Sequence, residues 1–456
     1  MCGIVLIYMN VRNKTAPFIL FVGDIVFFVI SLYLTLLIRY GNHLSQETFF
    51  THLVPFSILF LVWLLVYFIA GLYEQYTILF RRNLNRAIFN VQLINSLIAI
   101  AFFYLIPYYG ITPKTNLFIY LVVSWALIIF WRSYVYVILS SGRKQNALIV
   151  SSGVEMRELR EVANQSPGFP IQFISSVDLD TVDSIDFHEE ILKRVYAEDV
   201  SIIAIDFNNG KVEPILPHLY NLIFSNVIFI DMHKIYEDVF NRVPLSLLKY
   251  SWFLENISLT PKITYDFLKR VMDVLVAGVL GLISLVLSPL LWPAVKAACG
   301  GLLLLIHERI GKNNQPIHIV KFRTMTEHAE VDGVSKNPEA TRVGAFLRTT
   351  RLDELPQLWN VIRGDVSLIG PRPEIPAYVK LYEAEIPYYS IRHLIKPGLS
   401  GWAQLYQEAP PKYDVGYTET RQKLSYDLYY IKNRSLILDI KIGLKTIKEI
   451  LSQRGK

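Results

Sequence analysis

Four apolar stretches crowd the first 140 residues of this 456-residue chain, at about 17–37, 52–70, 91–107 and 116–139. Each approaches the ~20 residues that a helix needs to cross ~30 Å of hydrocarbon. Such an opening confines the fold, because a backbone in lipid must satisfy its own polar groups and does so here as helices. Basic residues gather at the start (Arg12, Lys14), between the second and third stretches (Arg81, Arg82, Arg86) and at the exit (Arg132, Arg143, Lys144). The first and third connections offer only Arg39 and Lys114. Positive charge favours the cytoplasmic side, so both ends of a four-helix transmembrane bundle, residues 1–140, are expected there. The first stretch is too long for a signal peptide and no A-x-A site follows it. Asp24 is the one acid inside a span; near the span's end, it is expected to serve a helix terminus or packing.

Composition agrees with a multidomain membrane protein. Hydrophobic residues make up 52% and charged residues 18%, against ~25% charged in ordinary soluble domains; disorder is excluded. The net charge is +5 over 1–140, −7 over 141–261 and +8 over 262–456. Two cysteines, Cys2 and Cys299, cannot build a disulfide framework, and no CxxC or His/Cys cluster suggests zinc. Met1-Cys2-Gly3-Ile4 imitates enzymes with a nucleophilic second-position cysteine, but a span beginning near residue 17 leaves no room for their catalytic domain.

The acidic middle alternates short apolar runs (147–150, 171–174, 201–205, 226–230) with amphipathic stretches (155–163, 187–197, 214–224). This pattern predicts a small parallel α/β domain of degenerate Rossmann-like type over 141–261. The first run leads into Ser151-Ser152-Gly153, which lacks two glycines of a G-x-G-x-x-G turn, and Asp178 or Asp180 could only mimic a ribose-binding acid. A scaffold or regulatory role without bound dinucleotide is expected, and this domain could serve as a homodimer contact.

Residues 274–295 carry no charge, and cations flank them on both sides (Lys269, Arg270, Lys296). Pro289 and Pro293 interrupt the run, each removing a backbone donor. Length and hydropathy alone would make this a fifth span, but a broken, re-entrant helix over about 266–295, entering and leaving on one face, accommodates both features and is the favoured reading, with Ser288 among the polar groups covering freed backbone. The final third, 262–456, then stays on the cytoplasmic side as a mainly α domain.

That final third holds the chemistry. Its polar motifs are Arg309-Ile310-Gly311-Lys312, Lys321-Phe322-Arg323-Thr324-Met325, Arg348 to Asn360, Gly364 to Pro373, and Lys396 to Gln404. Asp353-Glu354 reads as the start of a short helix, with Asp353 a good N-cap, Pro356 in the first turn and Gly364 at the far end. Adjacent carboxylates at a helix start can hold Mg2+. Arg348, Arg351 and Arg372 lie nearby in sequence, and guanidinium groups match phosphate oxygens. Carboxylates, a metal and arginines together suit phosphoryl transfer, in which positioning and charge neutralisation supply most of the catalysis.

At the strings Leu352-Asp353-Glu354-Leu355-Pro356-Gln357-Leu358-Trp359-Asn360 and Ser367-Leu368-Ile369-Gly370-Pro371-Arg372-Pro373, the chain resembles the bacterial sugar transferases, the monotopic phosphoglycosyl transferases. Its architecture resembles their large form, the polyprenyl-phosphate hexose-1-phosphate transferases. The resemblance implies that Asp353 attacks the sugar-linked phosphate of a UDP-sugar, expels UMP and forms a phosphosugar–aspartate intermediate. Undecaprenyl phosphate then takes the phosphosugar, in a ping-pong sequence that opens exopolysaccharide, capsule or O-antigen synthesis. Glu354 would help hold Mg2+ and activate the lipid phosphate. Arg348 and Lys321 are the further catalytic candidates, and Arg323, Arg351, Arg372, Gln357 and Asn360 the phosphate-binding ones. The implied partners are UDP-sugar and undecaprenyl phosphate in the bacterial inner membrane; nucleic acid is not expected. Two positions depart from the family pattern: Gly301-Leu302-Leu303 replaces Gly-Pro-Val, and His307-Glu308 precedes Arg309 where the family often has Gln.

Two other readings compete. A membrane-anchored sugar-nucleotide dehydratase or epimerase would need an intact glycine-rich turn and a Tyr-x-x-x-Lys pair, and Tyr429-Tyr430-Ile431-Lys432 lacks that spacing. A non-catalytic scaffold of polysaccharide export would not need Asp353-Glu354 beside several arginines. Residues 435–450 read as a basic amphipathic helix, lying on an anionic leaflet or packed with its lysines solvated.

Overall fold

The computed structural model describes residues 15–74, 84–106, 114–135, 144–166, 169–181, 187–225, 227–257, 262–325, 341–407 and 416–451. Arg12, Lys14, Arg81, Arg82 and Arg143, on which the expected orientation partly rests, lie outside them, as do Cys2 and Asn226. The chain forms two compact units, Met1–Phe240 and Asn241–Lys456.

The first unit opens with four helices: α1 (Thr15–Tyr40), α2 (Gln46–Ile69), α3 (Leu84–Leu105) and α4 (Lys114–Phe130). All four are long and apolar enough to cross a membrane, α4 together with the π-helical turn Trp131–Val135 that continues it. They share a core in which Phe28, Phe56, Phe60, Trp63 and Tyr120 interlock as aromatic pairs. Asp24 has the packing role expected of it. Its carboxylate is buried and pairs with Arg132 from the π-helical turn, Nε to Oδ1 at 3.0 Å, while Tyr73 donates to Oδ2 at 2.6 Å. Arg132 also donates to the Leu72 carbonyl at 3.0 Å, so one guanidinium ties α1 and the chain after α2 to the end of α4. A charge so buried persists only because every side of it is paired.

A parallel sheet follows, in the order β2-β1-β3-β4, with β1 (Gln145–Ser151), β2 (Ile171–Asp178), β3 (Ile202–Ile205) and β4 (Ile228–Asp231). All four strands fall on the expected apolar runs. The β1 turn into α5 (Gly153–Gln165) needs a positive φ of 81° at Gly153, which glycine alone adopts freely. Helix α6 (Phe187–Ala197) matches its expected span. The expected helix over 214–224 is instead a 3-10 turn (Glu213–Ile215), a short α7 (Leu216–Tyr220) and another 3-10 turn (Asn221–Ser225). Pro214 and Pro217 explain this, since each removes an N–H that a continuous helix would use. The unit ends with α8 (Met232–Phe240).

The second unit begins with α9 (Tyr250–Asn256), whose Trp252 and Phe253 share a core with Val379, Tyr382 and Leu428. Helix α10 (Ile263–Cys299) follows and is 37 residues long, about 55 Å at the ordinary rise. It continues through Pro289 and Pro293, where the sequence suggests a break. Pro289 cannot bond the Leu285 carbonyl four residues back; the Ser288 hydroxyl does so at 2.7 Å. Both ends of α10 are anchored. Arg270 donates to the Val361 and Ile362 carbonyls at 2.7 and 2.6 Å, and the Asp273 carboxylate accepts from Leu368 N at 3.2 Å. At the far end Val295 packs with Phe322 and Leu347, and Cys299 Sγ approaches the Arg323 carbonyl at 3.6 Å. No residue between Ala277 and Val295 is buried.

The rest of the unit is small elements: the antiparallel pair β5 (Leu304–Ile310) and β6 (Pro316–Phe322), α11 (Arg342–Thr350), α12 (Gln357–Arg363), β7 (Ser367–Ile369), α13 (Pro376–Glu385), β8 (Gly398–Ser400), α14 (Trp402–Tyr406), α15 (Tyr417–Asn433) and α16 (Leu436–Leu451). Strands β7 and β8 pair in parallel. On α16, Asp439 is buried and accepts from Tyr265, Lys269 and Tyr430 at 2.9, 3.0 and 2.6 Å. Two of its lysines lie over aromatic rings, Lys441 over Trp402 and Lys445 over Tyr406, while Lys448 is exposed. Ile437, Ile440 and Ile447 are exposed.

Candidate active site

Four pieces of the second unit meet around Asp353 and Glu354: strand β6, helix α11, the 3-10 turn Leu352–Glu354 and the loop after β7. Helix α11 is seated by glycine. A Cβ on Gly344 would lie 1.9 Å from the Thr324 carbonyl oxygen, so only glycine lets the helix approach the end of β6 this closely. Thr341 caps α11, its hydroxyl accepting from Gly344 N at 2.9 Å. Arg348, one turn on, then donates from Nε to the Thr324 hydroxyl at 2.9 Å. Arg351 ends α11 in the left-handed conformation, φ 55°, and the chain turns at once into Leu352–Glu354. Asp353 therefore does not cap a helix as the sequence suggests. It lies in the 3-10 turn, with α12 starting only at Gln357, because tertiary packing of Leu352 and Leu355 fixes the turn ahead of the helix.

The loop bearing Arg372 is held by a second close approach. A Cβ on Gly370 would lie 2.6 Å from the Lys396 carbonyl oxygen, one on Gly398 2.1 Å from Gly370 N, and one on Gly401 2.3 Å from Gly370 O. The Gly-Pro-Arg-Pro and Pro-Gly-Leu-Ser-Gly turns thus stack back to back, with Gly370 N donating to Ser400 O at 2.8 Å and Gly398 N to Pro371 O at 2.9 Å. Arg392 donates to the Arg372 carbonyl at 2.9 Å from beneath.

The two carboxylates face different surroundings. Lys321 donates to Glu354 Oε1 at 3.0 Å and Arg372 to the same atom at 3.3 Å, while Arg351 pairs with Oε2 at 3.7 Å. Burial would raise the Glu354 carboxyl, but Arg372, Lys321 and Arg351 outweigh it and hold it down at about 2. Asp353 makes no ion pair among the described residues. Burial and the charge of Glu354 push its carboxyl up, against the pull of Lys321 and Arg348. Neighbouring acids driven apart in this way acquire different roles.

Of the nine residues singled out by sequence, Lys321, Arg348, Arg351, Arg372, Asp353 and Glu354 come together. Asn360 does not present itself to a substrate: it is buried, donating to the His318 carbonyl at 2.7 Å and to Asp365 at 3.1 Å while accepting from Val320 N at 3.3 Å. It joins α12 to β6. Arg323 and Gln357 are also buried rather than presented. Sequence reasoning passed over Thr324, which orients Arg348 from within the quoted Lys321–Met325 motif, and the set of half-buried Glu374 with buried Arg392, Lys423 and Asp427. Lys423 and Arg392 pair with Glu374, and Arg392 with Asp427 at 2.8 Å. Their wide spacing in the chain left no local signal.

Residues 264–453 match the family model for the bacterial sugar transferase. Over 206 residues the chain is 42% identical to a UDP-N-acetylgalactosamine-undecaprenyl-phosphate N-acetylgalactosaminephosphotransferase of Aeromonas hydrophila, covering 43% of this chain and 47% of that protein. Over 202 residues it is 39% identical to a UDP-glucose:undecaprenyl-phosphate glucose-1-phosphate transferase of Caulobacter vibrioides, covering 42% and 73%. An undecaprenyl-phosphate glucose phosphotransferase of Komagataeibacter xylinus is 30% identical over 327 residues, covering 67% and 59%, more of this chain than the second unit alone can supply. The match thus spans about half the length of the Aeromonas relative. A dyad of unequal carboxylates ringed by Lys321, Arg348, Arg351 and Arg372, on a stretch this similar to the Caulobacter enzyme over most of its length, places the chain in the bacterial sugar transferase family.

Proposed function

We propose that the chain transfers hexose 1-phosphate from a UDP-sugar to undecaprenyl phosphate, at the first membrane step of exopolysaccharide, capsule or O-antigen synthesis. The unequal dyad carries this reading. Both oxygens of Glu354 are engaged by cations and its basicity is low, so it is a poor nucleophile. Asp353 is more basic and has no ion pair among the described residues, so an oxygen of its carboxylate attacks the sugar-linked phosphorus. The bond from that phosphorus to the UMP oxygen breaks, and its electron pair leaves on UMP. An oxygen of undecaprenyl phosphate then attacks the phosphosugar–Asp353 intermediate and restores the carboxylate. Lys321 and Arg348 bear on Asp353 and neutralise charge gathering on the transferred phosphoryl group.

Magnesium suits the donor set. Asp353 and Glu354 are hard oxygen donors, and Mg2+ is commonly held by one or two carboxylates together with substrate phosphates and water. Bound there, the ion would neutralise diphosphate oxygens.

The same reading places the protein in the bacterial inner membrane with α1–α4 as a four-span bundle and the parallel α/β region as a degenerate Rossmann-like scaffold able to act as a homodimer contact. The second unit lies at the cytoplasmic face. Helix α10 supports re-entry: its two ends dock on one small unit while the stretch between them is exposed and apolar. The deciding assay adds UDP-sugars, undecaprenyl phosphate and magnesium to detergent-solubilised protein and measures UMP release. Asp353→Asn and a chelator should each abolish it; undiminished release by that variant would remove Asp353 as nucleophile.

A further inference from the structure

The loop that carries Arg372 leaves its backbone few handles. Pro371 and Pro373 flank the arginine and have no N–H, so the Arg372 carbonyl is a point by which neighbours can fix this residue. Arg392 takes that carbonyl, donating from Nη2 at 2.9 Å. The same nitrogen pairs with Asp427 at 2.8 Å. Nη1 donates to the Tyr389 hydroxyl at 2.6 Å and to Glu374 Oε1 at 3.5 Å. Lys423, one turn before Asp427 on α15, completes the set by pairing with Glu374. Two acids and two cations are neutral together, and the Arg392 side chain is only 1% exposed. The Glu374 carbonyl is held as well, accepting from Ile310 N at 2.9 Å.

Charge alone does not account for a guanidinium here. Packed apolar residues often replace buried ion pairs without loss of stability, and a lysine would neutralise the acids equally well. What the planar fork adds is direction: two acids and a tyrosine engage it, and one remaining N–H is aimed at a single carbonyl. The side chain of the residue so held, Arg372, reaches Glu354 Oε1 at 3.3 Å. Glu374 lies two residues further on, so the cluster grips the loop on both sides of Pro373. We infer that Arg392 is a positioning residue for phosphoryl transfer: by fixing the Arg372 carbonyl, it sets where the Arg372 guanidinium meets Glu354 and the substrate diphosphate. This rests on the function proposed above. Arg392, itself buried, acts only through Arg372.

The test uses full-length, detergent-solubilised protein. Arg392→Lys keeps the set neutral but removes the fork, and thermal unfolding checks its fold. Hydrogen exchange follows the amides of 364–374 without substrate, and UMP release is measured with UDP-sugar, undecaprenyl phosphate and magnesium. Exchange over 364–374 should quicken while that of α10 stays as in wild type. The value of kcat/KM should fall about tenfold or more, as it does when a catalytic group is slightly misplaced. In an Arg372→Gln background the same change should lower kcat/KM by less than about threefold, because no guanidinium is left to misplace. Wild-type exchange over 364–374 overturns the inference. An equal fall in both backgrounds does so too, since a merely structural role would be additive. If Arg392→Lys fails to fold, Tyr389→Phe takes its place; it removes only the hydroxyl to which Nη1 donates, and unchanged exchange there overturns the inference as well. A wild-type protein that releases no UMP from any UDP-sugar overturns the proposed function instead, and the exchange alone then decides the positioning.

Discussion

Asp353 carries a cost for the fold. A carboxyl raised above its usual value is one whose ionised form is disfavoured in the native state, so its charge destabilises at neutral pH. Asp353→Asn should therefore leave the unfolding temperature at pH 7 unchanged or higher, even as UMP release disappears. A marked drop would mean that the carboxylate has structural partners. Residue type made Asp353 and the arginines legible in the sequence, because charge has few uses in a short stretch around a carboxylate pair. It could not separate Asn360 from them. An amide that binds phosphate and one that staples α12 to the His318 carbonyl look alike until the fold shows where its donors go.

Helix α11 shows how an element delivers a side chain. Gly344 rests on the backbone of Thr324, and Arg348 reaches the hydroxyl of that same residue. Gly344→Ala should push the helix outward, cost about 1–3 kcal/mol by overpacking, and lower kcat by moving Arg348. Unfolding and turnover of the variant test both effects, and unimpaired turnover would show that Arg348 tolerates the shift. The parallel strands were readable from their apolar runs, since buried strands need little else. The β5–β6 pair was not, because His307-Glu308 breaks the apolar run with exposed groups. The stacked turns of Gly370, Gly398 and Gly401 were visible as motifs, but their mutual contact is a tertiary fact.

On the scale of the whole molecule, acid should destabilise the protein in two stages. Burial and the adjacent Arg392 lower the His393 ring to about 4, so it is neutral when folded and protonates more readily when unfolded. Its contribution is full above the unfolded value of 6.5 and is lost as pH falls toward 4. Burial opposes the charge of Glu354 and Glu374, but their cationic neighbours hold both at about 2, so their contribution fades from 4.5 toward 2. Unfolding temperatures measured from pH 7 to 4 should fall, and His393→Leu should flatten the upper part of the curve; an identical curve in that variant would absolve His393. Topology can be tested on the same scale. With Lys262→Cys and Leu302→Cys flanking α10, a membrane-impermeant thiol reagent should label both only in inverted vesicles. Labelling of the two from opposite sides would make α10 a crossing.

The Asp24–Arg132 pair also has a consequence in time. The partners are 108 residues apart, so at roughly 5–20 residues per second the acid waits several seconds or more for its arginine. A lone acid at the middle of a span costs about 2.5–3.5 kcal/mol to insert, and Asp24 is the tenth of the 26 residues of α1, well inside the helix and not at its end as the sequence suggests. The helix that carries the acid is therefore complete before the residue that neutralises it has been made. A pair that looks like static glue in the finished protein thus also sets an order in time, because the acid is made first and the residue that pairs with it 108 residues later.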